Sequence, residues 1–175
     1  MKKPVIFLDR DGVLTKEKSY VLQKEELEIF PFAKECIQRL HDAGYLTIVI
    51  TNQSAVGRKM LAERTLQEMN DILKRDTGVD DVFYCPHWHP TAIICNCRKP
   101  QIGMIVKAME KYDLDLKHAY FIGDRASDIK TGNNAGIKTV LLKSGYGIKK
   151  LEENVVSDYI FNDLLDFVNS QVYVF

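Results

Sequence analysis

Uninterrupted apolar runs alternate with amphipathic stretches along this chain. Val5-Ile6-Phe7-Leu8 has four consecutive hydrophobic residues and no polar alternation, which predicts a strand buried on both faces inside a parallel sheet. Leu46 to Ile50, Val82 to Cys85, His118 to Gly123 and Lys138 to Leu142 read the same way, and Tyr159-Ile160-Phe161 reads as an edge strand. Between them, helical spacing puts Phe32, Cys36, Ile37 and Leu40 on one face of a helix opened by Pro31 and closed by Gly44. Cys36 therefore belongs to the core. Further helices are predicted over about 62–75 with Leu66, Met69, Ile72 and Leu73 inward, through Ile102, Ile105, Val106 and Met109, from Asp128 to Gly136, and from Leu164 to Ser170. The β-α-β order implies right-handed crossovers and parallel pairing. Lys16 to Glu28 is too charged for a core and reads as a loop.

The polar residues stand at the strand ends. Asp9 and Asp11 end the first run, Thr51-Asn52-Gln53-Ser54 the second, and Asp124 the run through Ile122. In an open α/β sheet the crevice beyond the carboxyl ends of the strands is where ligands bind. If the chain stays extended past Leu8, Asp9 and Asp11 project to one side and Arg10 points away, with Gly12 turning the backbone. Close carboxylates call for a cation or a shared proton, and Mg²⁺ suits a few carboxylates plus phosphate oxygens. Thr51, Asn52 and Lys99 can donate to phosphoryl oxygens. A solvated Asp-Gly turn at Asp11-Gly12 and a helix-capping Asp124 are the plainer readings.

Composition narrows the partners. The 24 basic and 24 acidic residues cancel, which argues against nucleic acid or an anionic membrane. A length of 175 residues and a hydrophobic fraction of 46% fit one domain, 1–175, with an adequate core. No apolar run approaches a membrane span and Met1-Lys2-Lys3-Pro4 leads straight into the first strand, so a cytoplasmic location is expected. The four cysteines then count as thiols or metal ligands rather than disulfides.

Three of those cysteines fall in one irregular stretch. Cys85-x-His87 and Cys95-x-Cys97 offer three sulfurs and an imidazole, a set suited to tetrahedral structural Zn²⁺ that would place Arg98 and Lys99. His89 can stand in for His87. Buried thiols beside a surface histidine are the alternative, and a redox pair fits poorly because C-x-C is not C-x-x-C.

Taken in order, Asp9-x-Asp11-Gly12-x-x-Thr15, Thr51-Asn52, Lys99-Pro100 and Gly123-Asp124-x-x-x-Asp128 resemble the four motifs of the haloacid dehalogenase (HAD) superfamily phosphatases, over about residues 5–145. The resemblance implies a three-layer Rossmann-like α/β fold with a central parallel sheet. Spacing between the motifs leaves no room for a cap domain, so recognition falls to the loop at 16–30 and the cysteine loop. It also implies that Asp9 attacks phosphorus to form an aspartyl-phosphate, that Asp11 is acid and then base, and that Thr51 and Lys99 steady the phosphoryl group. Mg²⁺ would be held by Asp9, Asp124 and Asp11, the last through its backbone carbonyl.

The cysteine loop running into Arg98-Lys99-Pro100 is similar to that of the heptose 1,7-bisphosphate 7-phosphatases and the related histidinol-phosphate phosphatases. Asp9-Arg10-Asp11-Gly12, Thr51 to Ser54 and Tyr20-Val21 look more like the heptose group. In that group the counterparts of Glu17, Tyr20, Gln53, Ser54, Arg98 and Arg125 lie along the substrate, with Arg10 and Asn52 beside them. Val13, Thr15, Ala55 and the Trp88-His89 insertion depart from its pattern. The expected partner is a small phosphorylated sugar, the oligomeric state stays open with a monomer favoured, and a non-catalytic zinc-stabilised binding protein is opposed by the retained Asp9, Asp11, Lys99 and Asp124.

Overall fold

A computed structural model describes residues 2–88, 95–146 and 155–174. Strand β1 (Lys3–Leu8) lies between β2 (Leu46–Asn52) and β4 (Leu114–Gly123), parallel to both, with Phe7 opposite Ile48 on one side and Phe121 on the other. With β3 (Asp81–Cys85), β5 (Lys138–Leu142) and β6 (Tyr159–Phe161) the sheet has six strands in the order β3-β2-β1-β4-β5-β6, and every pairing is parallel. The expected α/β fold is present, and β6 is an edge strand. Chain order reverses between β1 and β4, so their carboxyl ends open onto a crevice. The Asp9 backbone N–H reaches across to the Ile122 carbonyl at 2.9 Å and extends the β1–β4 pairing to that rim.

Alternation along the strands fills two layers. Ile6, Leu8, Val49 and Ile122 pack with Cys36, Ile37 and Leu40 of α1 (Ala33–Asp42) and Phe167 of α6 (Leu164–Ser170). Val5, Phe7, Ile48 and Phe121 point the other way, onto Met104, Ile105 and Ala108 of α4 (Gly103–Lys111). Four consecutive hydrophobic residues in β1 thus serve two cores. The remaining helices are α2 (Ser54–Gly57), α3 (Glu63–Thr77) and α5 (Ala126–Asn134). The segments leaving β1 and β2 carry only a 3₁₀ turn at Lys24–Glu26, these helices and their connections, and no inserted cap stands among the described residues.

Three expectations need correction. The inward stripe of α4 is Met104, Ile105 and Ala108, whereas Val106 and Met109 are 42% and 48% exposed. Ile102 caps that helix from outside instead of opening its first turn, so spacing counted from it pointed to the wrong face. Strand β4 begins at Leu114 rather than His118, because polar Asp115 and His118, paired at 2.6 Å, interrupt its apolar pattern without ending it. Strand β2 runs on through Thr51 and Asn52, which carries those side chains to the rim on a rigid element. Among the described residues no helix is long and apolar enough to cross a membrane.

In the C-terminal segment Tyr173 is core packing, whereas Val174 is exposed. Tyr173 is buried, its carbonyl accepts from Tyr45 Oη at 2.7 Å and the Val172 carbonyl from Tyr120 Oη at 3.3 Å; Phe175 lies outside the described residues. Phe167 stands at the centre of this aromatic group, with ring centroids 5.9 Å from Tyr120, 5.6 Å from Phe161 and 5.2 Å from Tyr173. Phe167→Ala is expected to lower unfolding free energy by about 3–5 kcal/mol, the range for a large aromatic replaced in a packed core. Urea denaturation checks it, and a loss under ~1 kcal/mol would mean that the cluster relaxes into the space.

Candidate active site

The strand feeding the site stops at Leu8 and the chain curls, because the Arg10 carbonyl accepts the N–H groups of Leu14 and Thr15, both at 3.0 Å. Arg10 consequently does not point away. It is buried, and its Nε and Nη2 grip Asp11 at 3.0 and 2.9 Å while Nη2 also donates to Gln53 Oε1 at 3.1 Å. Gln53 closes the network by donating to Asp11 Oδ2 at 3.0 Å and to Thr51 Oγ1 at 2.9 Å, and Thr15 Oγ1 donates to Asp11 Oδ1 at 3.1 Å. Every one of these Asp11 partners is a donor.

Asp9 belongs to a different group. Its carboxylate, with those of Asp124 and Asp128, offers ligand atoms that all lie within 4.8 Å of one another, and the Asp11 side chain is not among them. Lys99 enters from the loop after β3, and its buried ammonium bridges Asp9 Oδ1 at 2.9 Å and Asp128 Oδ1 at 2.6 Å while donating to the Ile50 carbonyl at 2.9 Å. Burial opposes that positive charge, yet Asp128 and Asp9 outweigh it and hold the Lys99 pKa above the ordinary lysine value. Burial raises the Asp9 carboxyl to about 6, opposed by Lys99 and reinforced by Asp128 and Asp11. Asp124 is pushed to about 8 by burial, then by Asp9 and Asp128.

One ammonium among three buried carboxylates leaves a charge deficit. Asp124 Oδ2 accepts the Tyr146 N–H at 2.7 Å, but its Oδ1 is buried without a hydrogen bond, and the Arg125 Nε is 4.0 Å away. A hard divalent cation fits that donor set. The backbone is shaped around the carboxylate as well. A Cβ on Gly12, whose φ is +84°, would come within 2.6 Å of Asp124 Oδ2, and one on Gly145 would overlap the same oxygen.

Asn52 acts on Lys99 through the main chain. Its Oδ1 accepts the Lys99 N–H at 3.0 Å and its Nδ2 donates to the Lys99 carbonyl at 3.3 Å, so both ends of the amide clamp the loop. Cys85, His87, Cys95 and Cys97 also converge, with Cys97 Sγ 3.0 Å from Cys85 Sγ and 3.2 Å from His87 Nδ1, and Cys95 Sγ 3.6 Å from Cys85 Sγ. That set suits a tetrahedral S₃N centre. His89 lies outside the described residues.

Above the carboxylates is a polar cleft of about 290 Å³. Every expected substrate-side residue lines it except Glu17, whose carboxylate takes Arg125 Nη2 at 2.9 Å and faces a neighbouring cavity beside Tyr146.

A HAD-hydrolase-like family model matches residues 96–167. The D-glycero-alpha-D-manno-heptose-1,7-bisphosphate 7-phosphatase of Photorhabdus laumondii is 39% identical over 89% of this chain and 91% of its own length. The D-glycero-beta-D-manno-heptose-1,7-bisphosphate 7-phosphatase of Haemophilus ducreyi is 34% identical over 96% of this chain and 98% of its own. The chain belongs to the heptose-bisphosphate phosphatase family of HAD-like hydrolases. Among solved structures, the D,D-heptose 1,7-bisphosphate phosphatase from B. bronchiseptica, complexed with magnesium and phosphate, superimposes with a TM-score of 0.84 at 29% identity, covering 97% of this chain and 98% of that one.

For this HAD-like phosphatase the sequence left Asp128 as no more than the last letter of a motif. In the structure it has two duties, since Oδ2 accepts the N–H groups of Asp124 at 3.2 Å and Arg125 at 3.0 Å while Oδ1 holds Lys99. The four-residue spacing from Asp124 was the available signal, because it places Asp128 in the first turn of α5. Lys18, Arg58 and Ser127 also line the cleft, and no motif marked them.

Asn52→Ala releases the Lys99 backbone at both ends. Lys99 is expected to steady the phosphoryl group, and misplacement of such a group by about 1 Å costs on the order of 100-fold, so a fall in kcat of roughly 10- to 100-fold is expected with circular dichroism unchanged. An unaltered kcat on an aryl phosphate would show that Lys99 is held by its ammonium contacts alone.

Proposed function

We propose that this phosphatase removes the 7-phosphate of D-glycero-D-manno-heptose 1,7-bisphosphate, as a cytoplasmic monomer folded as one domain over 1–175 and using Mg²⁺. The observation that carries the reading is the buried Lys99 between Asp9 and Asp128, beside the hydrogen-bond-free oxygen of Asp124, at the floor of a cleft bordered by arginines. Relatives named for both anomers at 39% and 34% identity support the substrate class.

Asp9 attacks phosphorus through its carboxylate oxygen and the bond to the leaving alcohol oxygen breaks, leaving an aspartyl-phosphate. Asp11, protonated once it turns from the donors that grip its carboxylate here, gives that proton to the alcohol, then takes one from the water that hydrolyses the acyl phosphate and returns Asp9. Thr51 and Lys99 steady the phosphoryl oxygens, and Gln53 orients Thr51 and Asp11 together. Asp9, Asp124 and the Asp11 carbonyl would hold the metal. Bound there, Mg²⁺ supplies positive charge against the phosphoryl group. Arg10 Nη1, buried without a hydrogen-bond partner, supports placing Arg10 on the substrate side. Histidinol phosphate would need an acid for its amine, and Glu17 is instead paired with Arg125.

Phosphate release from both anomers of heptose 1,7-bisphosphate, measured beside histidinol phosphate, is expected to give the highest kcat/KM for one heptose anomer; a preference for histidinol phosphate would overturn the substrate assignment. Asp9→Asn is expected to lower turnover by more than ~1,000-fold while the protein stays folded. Substantial residual hydrolysis in that variant would remove Asp9 as the nucleophile.

The same proposal gives Cys85, His87, Cys95 and Cys97 a structural Zn²⁺. Elemental analysis is expected to find one zinc per chain, and Cys97→Ser to lose it together with several degrees of Tm. A zinc-free protein with unchanged Tm would reduce the cluster to packed thiols.

A further inference from the structure

Most cations around the cleft are already committed to carboxylates. Arg10 holds Asp11, Lys99 holds Asp9 and Asp128, Arg125 holds Glu17, and Lys18 reaches Glu28 at 2.7 Å. Arg58 and Arg98 differ: both line the cleft, and among the described residues neither has a carboxylate partner.

Arg58 is nevertheless held. Its guanidinium carbon stands 4.1 Å from the centroid of the Trp88 ring and 5.9 Å from that of Tyr20. Stacking uses the guanidinium face and leaves its N–H edges free to grip an anion in their own plane. The Trp88 main chain is anchored in turn, because the Gly57 N–H donates to the Pro86 carbonyl at 2.8 Å and a Cβ on Gly57 would come within 2.5 Å of the Trp88 backbone nitrogen. The end of α2 and segment 86–88 therefore meet with no space between them. Arg98 is tied to the same segment, since its Nη1 donates to the His87 carbonyl at 3.3 Å. Two unneutralised guanidinium groups thus share one support on one side of the cleft, while Lys99 lies at its floor.

Arg98 is already expected along the substrate; we infer that Arg58 joins it at the phosphate that is not transferred, and that Trp88 is the positioning residue that aims Arg58. This rests on the proposed function, since it needs a substrate with two phosphates. It assigns a task to the cysteine loop that its cysteines do not perform: a ring next to His87 presents a cation belonging to a different element. Trp88, part of an insertion that departs from the heptose group's pattern, then shapes recognition of the second phosphate.

The test compares kcat/KM for a sugar 1,7-bisphosphate and for the corresponding 7-monophosphate. The wild type should favour the bisphosphate, and Arg58→Ala should lower that ratio about 10- to 100-fold, mainly through KM, as expected when a charge-assisted contact to one phosphate is lost. Trp88→Ala should move the ratio in the same direction and Trp88→Phe should restore most of it, because an aromatic face is what the stack requires. Trp88 is the single tryptophan of the chain, so its emission reads the stack without turnover. In an Asp9→Asn background the bisphosphate should shift that emission saturably, and Arg58→Ala should abolish the response. An unchanged ratio in Arg58→Ala overturns the subsite, and an unchanged ratio in Trp88→Ala overturns the positioning role. A wild type indifferent to the second phosphate overturns the proposed function and this inference with it, whereas a wild type that prefers the bisphosphate beside an inert Arg58→Ala removes the inference alone.

Discussion

The site depends on a single buried ammonium. Removing a lysine from water is costly unless its charge and its donors are satisfied, and Lys99 achieves this with two carboxylates and the Ile50 carbonyl. The dependence is mutual, since Asp9, Asp124 and Asp128 are also buried within a few ångströms of one another. Asp9 follows β1, Asp124 follows β4, Asp128 stands in the first turn of α5 and Lys99 rides the loop after β3. Three separate pieces of the chain converge on this contact, since Asp124 and Asp128 share one β4–α5 turn. The strand order makes the convergence possible, because reversal between β1 and β4 brings the ends of those strands to one crevice.

What the sequence disclosed follows from how local each signal is. Apolar runs ending in Asp9, Thr51 and Asp124 marked the strands and their functional ends together, because burial on both faces and an abrupt polar stop are adjacent in the chain. Cys85, His87, Cys95 and Cys97 were legible for a similar reason, since paired spacings bring ligands together whatever the loop does between them. Arg10 was misplaced because its direction depends on a curl after Leu8 that no apolar pattern reports, and on Gln53, which is remote in sequence. The pairing of Glu17 with Arg125 beside a second cavity was not readable either, since the two are distant in sequence. The inward face of α4 was misjudged because the register of a short helix depends on where its first turn begins. Val172 and Tyr173 had no readable role, since their partners Tyr45 and Tyr120 belong to distant elements.

Without an inserted cap among the described residues, order at the cleft must come from its own loops. The segment after β1 has apolar as well as polar ties, since its buried Val21 packs with Leu22 and Leu27 in a cluster with Leu66 and Met69 of α3. The segment after β1 is tied by Lys16 and Lys18 on Glu28 at 2.6 and 2.7 Å, and the turn after β5 by Ser144 Oγ on the Gly12 carbonyl at 2.6 Å and by the Tyr146 N–H on Asp124. Exposed ion pairs such as those on Glu28 are individually worth little, whereas bonds into buried carboxylates are worth more.

The cysteine loop faces the strictest demand, because the same stretch must deliver Lys99 to a dry floor and present Arg98 to an open cleft. A hydrophobic core cannot do both, since burying the loop would exclude the cleft that Arg98 lines. The structure divides the task along the chain. Cys85 and Cys97 are buried at either end of the loop, and the Asn52 amide fixes the Lys99 backbone two residues later. Between those anchors Trp88 remains 36% exposed, with its ring against Arg58. Anchored ends with the partly exposed Trp88 between them let one loop serve both the buried Lys99 and the open cleft, as the proposed function requires.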